Sequence, residues 1–358
     1  KSKLHVKYSQ LLVDRLPALR GLATLKGLSP EARVSAVTIY FVAYQRVMVE
    51  NLRVKEEVPE ANELKNITAG LSKEIDPDKE QGAWATAIAM EATARMMTGE
   101  LDDLKAAGDM LLALANDQRA DPDIAASAAA AAAIALSSLA EITQSPDDMY
   151  RARDLILQAR ANGAAKSLSL GPTVDSGFAR TVLWLGRNLN DYSFADEALE
   201  AAARAASATP LDDDTGGGIN VRLTHADLLA GFALAKGDLA ALRRANAEFD
   251  AVLTPAVKRQ WRLFYVSGLE QSFAARRALA EETGKDEDFV RALAVVEEAR
   301  ANPLGNRPGR PLELTGLRTT IAMERATAAA NAAFLKPAIS ELRTALKDGE
   351  PENGLAAW

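Results

Sequence analysis

An all-α fold of paired helices is predicted by three features of the sequence. Segments of roughly 15 to 25 residues carry apolar side chains three and four apart, as amphipathic helices do, and no segment shows the period-two alternation of a half-buried strand. Breaks recur at a near-constant stride: counted from Gly99, Pro146, Tyr192, Gly237, Gly284 and Phe334, the intervals are 47, 46, 45, 47 and 50 residues. Alanine is abundant and aromatic residues make up only 5% of the chain, which suits closely packed helices better than sheets.

The elements follow in order. A leading helix runs from about Leu4 to Leu25, and Leu28-Ser29-Pro30 then starts a first pair that extends to the break at Asp76-Pro77-Asp78. Proline fits a helix's first turn, where its missing amide costs nothing, so Pro30, Pro122, Pro146, Pro172, Pro255 and Pro311 all read as helix starts. The second pair turns at Gly99-Glu100, the third at Ser145 to Asp148, and the fourth at Asn190 to Ser193. The fifth pair begins after the connector Pro210–Gly218 and turns at Gly237-Asp238, the sixth turns at Gly284 to Asp286, and the seventh at Phe334 to Pro337. Glycine ends one helix in the left-handed conformation while Ser or Asp caps the next. The phrases "TGELDDLKAA" from Thr98 and "KGDLAALRRA" from Lys236 carry the same turn chemistry 138 positions apart. The total is about fifteen helices: one leading helix and about seven hairpins, with residues 1–78 capping an array that occupies 79–358.

The residues around these turns resemble tetratricopeptide repeats. Leu185, Gly186, Leu189, Ala198, Ala205 and Pro210 match that family's pattern without a gap; Leu139, Ala140, Ala152 and Ala159 match in part, as do Leu229, Ala230, Gly237, Asp238 and Leu239. The unit ahead of Gly99 has Glu91 where a leucine belongs. The stride exceeds the family's 34 residues and approaches the 40 to 47 of HEAT-type repeats. A curved solenoid or a closed helical bundle is the implied architecture. The T components of TRAP transporters, which are built from tetratricopeptide repeats, resemble it in architecture alone.

Composition narrows the function. A net charge of −7 with no long basic run opposes a phosphate backbone, so nucleic acid is not expected as a partner. The apolar run Ile124–Leu136 is shorter than the roughly 20 residues of a membrane-spanning helix. The absence of cysteine excludes disulfides and thiolate chemistry within this chain, and with a start at Lys1 it points to an exported bacterial protein, periplasmic or outer-membrane-associated, with the cytoplasm as second choice. His5 and His225 lack the spacing of a zinc site, and no G-x-S-x-G elbow occurs. The stretch "LDDDTGGGIN", Leu211–Asn220, places Leu223 where an EF-hand needs its closing glutamate and lacks the P-loop lysine, so it reads as a connector. No cofactor, metal or catalytic residue is expected.

Two binding readings remain. Aromatics concentrate on the first helices of the pairs; Trp84, Phe178, Trp184, Phe232, Trp261, Phe264 and Tyr265, with Met90, Met96 and Met97, form a candidate apolar lining. On this reading the chain is a non-catalytic envelope protein that holds an apolar small molecule or lipid in a helical cavity as part of a transport system, with another envelope protein as partner. The alternative is a protein-interaction scaffold that takes a peptide or helix in a concave groove. The resemblance places its groove positions at Arg180, Leu183, Arg187, Asn190 and Asp191, where two arginines can clasp a carboxylate.

Overall fold

A computed structural model describes residues 2–54, 61–166, 171–212, 216–301 and 310–348. Among the described residues there are sixteen α-helices, three short 3-10 turns and no strand, so the chain is all-α. It divides into two compact units, residues 1–215 and 216–358, and the division falls within the connector recognised in the sequence. Asp213 and Asp214 of that connector, Glu56 and Glu57, and residues 302–309 lie outside the described residues.

The first unit holds α1 (Ser2–Ala23), α2 (Pro30–Val54), α3 (Asn62–Thr68), α4 (Gln81–Thr98), α5 (Leu101–Ala115), α6 (Pro122–Thr143), α7 (Pro146–Ala161), α8 (Gly171–Leu189) and α9 (Ala195–Ala208). Its helices pack as sequential neighbours, with α4 on α5, α6 on α7 and α8 on α9, while α2, α4, α6 and α8 also touch in series. The second unit holds α10 (Gly217–Lys236), α11 (Leu239–Val252), α12 (Pro255–Gln260), α13 (Arg262–Thr283), α14 (Asp286–Ala301), α15 (Arg310–Ala328) and α16 (Leu335–Asp348), paired as α10 on α11, α13 on α14 and α15 on α16.

The caps explain why helices begin where they do. Asp121, Ser145 and Thr254 each accept a hydrogen bond from a first-turn amide ahead of a proline at the first helical position, and Asp238 does the same for Ala241 without a proline. At the hairpin turns, six residues adopt positive φ: Gly99, Gln144, Asn190, Gly237, Gly284 and Ala330, spaced 45, 46, 47, 47 and 46 residues apart. The stride of the turns is thus tighter in the backbone than in the residue types that mark it.

Three local features depart from the sequence expectation. The second helix of the first pair is not continuous: α3 is seven residues long and ends before a 3-10 turn, Leu71–Glu74, introduced by left-handed Gly70. The helix starting at Pro255 breaks at Trp261, whose extended φ separates α12 from α13. Finally, α6 at 22 residues is long and apolar enough, by length and composition, to cross a membrane. The sequence reading counted only its densest run. In the folded chain α6 is packed against α5, α7 and α8, with alanines buried on most of its faces.

Candidate binding face

The predicted lining residues lie mostly in the packing between helices. Met90, Phe178, Phe232 and Trp261 are 5%, 0%, 2% and 3% exposed. Side chains this little exposed spend nearly all of their surface on contacts with neighbouring helices. Phe178 meets Phe194 edge-on at 6.3 Å and carries the Arg160 guanidinium 4.4 Å above its ring. Trp261 packs on Phe264 at 5.7 Å, and the same pair closes over left-handed Gly216. Buried Tyr265 donates to Glu298 at 3.3 Å and lies under Lys258. Trp84 is half-buried between two core clusters with Arg119 above its indole; Met96 packs into one of those clusters and Met97 into the other. Trp184 is half-buried and packs on the cluster of Ala140, Met149 and Leu185 between α6, α7 and α8.

The groove residues divide as well. Leu183 is buried. Asn190 is the left-handed turn residue after α8, and its amide donates to Gly186 O at 3.0 Å. Asp191 caps the same turn, accepting from the Ser193 amide at 3.1 Å and its hydroxyl at 2.5 Å. Those two bonds lead in holding the Asp191 carboxyl below the usual range, helped by Tyr150 and Arg153. Arg180 is exposed and engages Glu141 of α6 at 3.0 Å, which occupies half of the expected two-arginine clasp, and Arg187 is exposed two turns further on.

What the helices of the first unit do present is a row of exposed and half-buried residues, mostly small on α4 and α6 and mixed on α8. On α4, Gly82, Thr86, Ala89 and Thr93 are exposed or half-buried; on α6 the same holds for Ser127, Ala131, Ile134 and Ser138, and on α8 for Thr173, Gly177, Arg180, Trp184 and Arg187. The spacing of three and four gives each helix one such row. Each of α4, α6 and α8 packs on its following helix and touches its neighbours in the series, and α6 and α8 also pack on the preceding α5 and α7. The helices are knitted by a Ser137–Thr181 hydroxyl bond of 3.0 Å, and Gly177 sits where a Cβ would lie 3.5 Å from Ile156 of α7 and 3.6 Å from Ile134 of α6.

Charged groups that the sequence did not single out serve the framework. Buried Asp103 accepts from Lys65 at 2.7 Å, Arg95 at 2.8 Å and Thr98 at 2.9 Å. Burial alone would raise its carboxyl, but these three donors hold it below the ordinary value. Thr283 donates to Asp288 at 2.7 Å in the second unit, the same contact at the same offset after a left-handed glycine. Burial, followed by the Glu63 hydrogen bond, pushes the Tyr40 phenol upward. His225 Nδ1 lies 2.7 Å from Glu248, and among the described residues no group of acidic or imidazole side chains is arranged for a metal.

Two surface clefts, each about 400 Å³, lie on α16 and among α11, α13 and α14; the second includes Arg243, Asn246, Lys285 and Arg291. Neither is bordered by a predicted lining or groove residue. Comparison with family models, with curated proteins and with solved structures finds no match.

Proposed function

We propose that this chain is a scaffold of tetratricopeptide-like hairpins that binds an amphipathic helix of a partner protein on the face shared by α4, α6 and α8. One observation carries the reading: the row of exposed and half-buried residues, mostly small on α4 and α6, that recurs on three neighbouring helices of the first unit. Gly, Ala, Ser and Thr let an incoming helix approach closely, while Ile134 and Trp184 supply apolar anchors and Arg187 a charge at the rim. The recurrence of left-handed turns every 45 to 47 residues supports the repeat architecture. Carriage of an apolar small molecule has less support, because five of its ten proposed lining side chains, Met90, Phe178, Phe232, Trp261 and Tyr265, are less than a tenth exposed.

The two readings separate in one experiment. A photo-crosslinking residue at Ser138, in the row on α6, is expected to trap a protein in cells, whereas the same residue at exposed Asp154 on α7 traps none. Equal trapping at both positions, or a stoichiometric lipid in the native mass spectrum without a protein adduct, would overturn the scaffold reading.

A further inference from the structure

Helix α1 differs from the rest of the chain in charge and in what it exposes. Residues 1–27 contain six basic side chains, Lys1, Lys3, Lys7, Arg15, Arg20 and Lys26, and one acid, Asp14, while residues 28–358 hold the other 36 basic and 48 acidic ones. A segment of net charge +5 therefore precedes a body of net charge −12. Leu16, Leu19 and Ala23 of α1 face the core formed with α2, α3 and α4. On another side, Leu11, Arg15, Ala18 and Leu22 follow one another at spacings of four, three and four, all exposed, and Leu25 continues the stripe just beyond the helix. Leu11, Leu22 and Leu25 are 53%, 42% and 53% exposed. Helix α16 exposes a more polar face, with Lys336, Ser340, Arg343 and Thr344 around a single large apolar side chain, Ile339.

The structure assigns α1 to an anionic membrane surface, on which it lies with Leu11, Leu22 and Leu25 among the acyl chains and exposed Arg15 and Lys26 at the headgroups. A leucine stripe flanked by lysine and arginine is what binding in the interfacial plane requires, because apolar burial and attraction to anionic lipid act together. A second copy of the chain fits less well. Two α1 segments at +5 each would meet with like charge, and a membrane offers the opposite sign and the apolar medium at once. The acidic remainder of the chain is repelled by the same surface, which favours contact through α1 alone.

The test is co-sedimentation of the full chain with phosphatidylcholine vesicles that contain phosphatidylglycerol, beside vesicles of phosphatidylcholine alone. Binding to the anionic vesicles is expected, falling as salt rises, and on the order of a hundredfold weaker in L11E/L22E. Thermal unfolding followed by circular dichroism checks that this variant is folded, and L25E, beyond the end of α1, provides a substitution that leaves the helix intact. No binding to anionic vesicles would overturn the assignment, as would binding that neither variant weakens. A dimer in sedimentation velocity that L25E dissolves would hand the stripe to a second copy instead.

Discussion

Glu91 stands where the tetratricopeptide pattern has a leucine, and its surroundings say why. One carboxylate oxygen accepts from the amide of left-handed Gly70 at 2.9 Å and the other from Arg95 at 3.1 Å, so the side chain pins the turn after α3 to α4. Arg95 passes the contact on to Asp103, which also holds Lys65. Removing the charge at Asp103 leaves two cations facing a neutral amide; each is about a quarter exposed, and Arg95 keeps Glu91, so the cost falls below that of a fully buried pair. Asp103→Asn is expected to lower stability by about 2 kcal/mol in urea unfolding at neutral pH. The sign with pH follows from the depressed carboxyl. Its stabilisation is complete above the unfolded value near 4 and disappears as pH falls through the lower folded value, so the gap between wild type and variant should close under acid. A gap that persists unchanged to about pH 3 would show that the carboxylate is not its source. Gly186 poses a different residue-scale conflict: a Cβ there would lie 2.5 Å from the Tyr192 ring. Alanine regains about 1 kcal/mol of helix propensity but must displace an aromatic ring, at about 1–3 kcal/mol. Gly186→Ala is therefore expected to lower the melting temperature, and a rise would mean that Tyr192 swings away freely.

At the scale of the element, the hairpin turn is the recurring unit, and it was largely legible in the sequence. Gly99, Gly237 and Gly284 announce themselves because glycine alone takes a left-handed conformation without a Cβ penalty. The other three turns place Gln144, Asn190 and Ala330 at the same step, and there the sequence pointed to nearby proline or aromatic residues instead. Backbone geometry is therefore more regular than its lettering, since a turn held by packing on both sides tolerates a residue with poor local preference. This yields a paired prediction: Ala330→Gly should stabilise and Gly99→Ala destabilise, each by about 1 kcal/mol, measured as opposite shifts in the thermal midpoint. Shifts of the same sign would show that side-chain contacts, not φ, govern these positions. The binding face was less legible. Aromatic and sulfur side chains mark burial as readily as they mark a lining, and Phe178 and Phe232 went to the packing. The mostly small exposed residues of α4 and α6 carry no chemical signature, and only the contacts of α4 with α6 and of α6 with α8 bring them beside the mixed row of α8.

At the scale of the whole molecule, the chain's division at residue 215 sets what should fold by itself. A unit with its own hydrophobic core can fold by itself, and most helices here pack on their neighbours in sequence within one unit. The first unit has its own core around Val37, Tyr40, Leu64 and Met90, and the second around Phe289, Val296 and Ile321. Ion pairs are likewise satisfied inside each unit: Asp175 lies between Arg160 and Arg204 in the first, and Arg277 binds Glu324 between α13 and α15 in the second. Residues 1–215 and 216–358, expressed separately, should therefore each show the circular dichroism of a helical protein and a single cooperative melt. The intact chain would then show two transitions in scanning calorimetry unless the junction couples them strongly. An unfolded 216–358 fragment would mean that the second unit borrows its stability from the first, and that folding proceeds as one array from the amino-terminal hairpins onward.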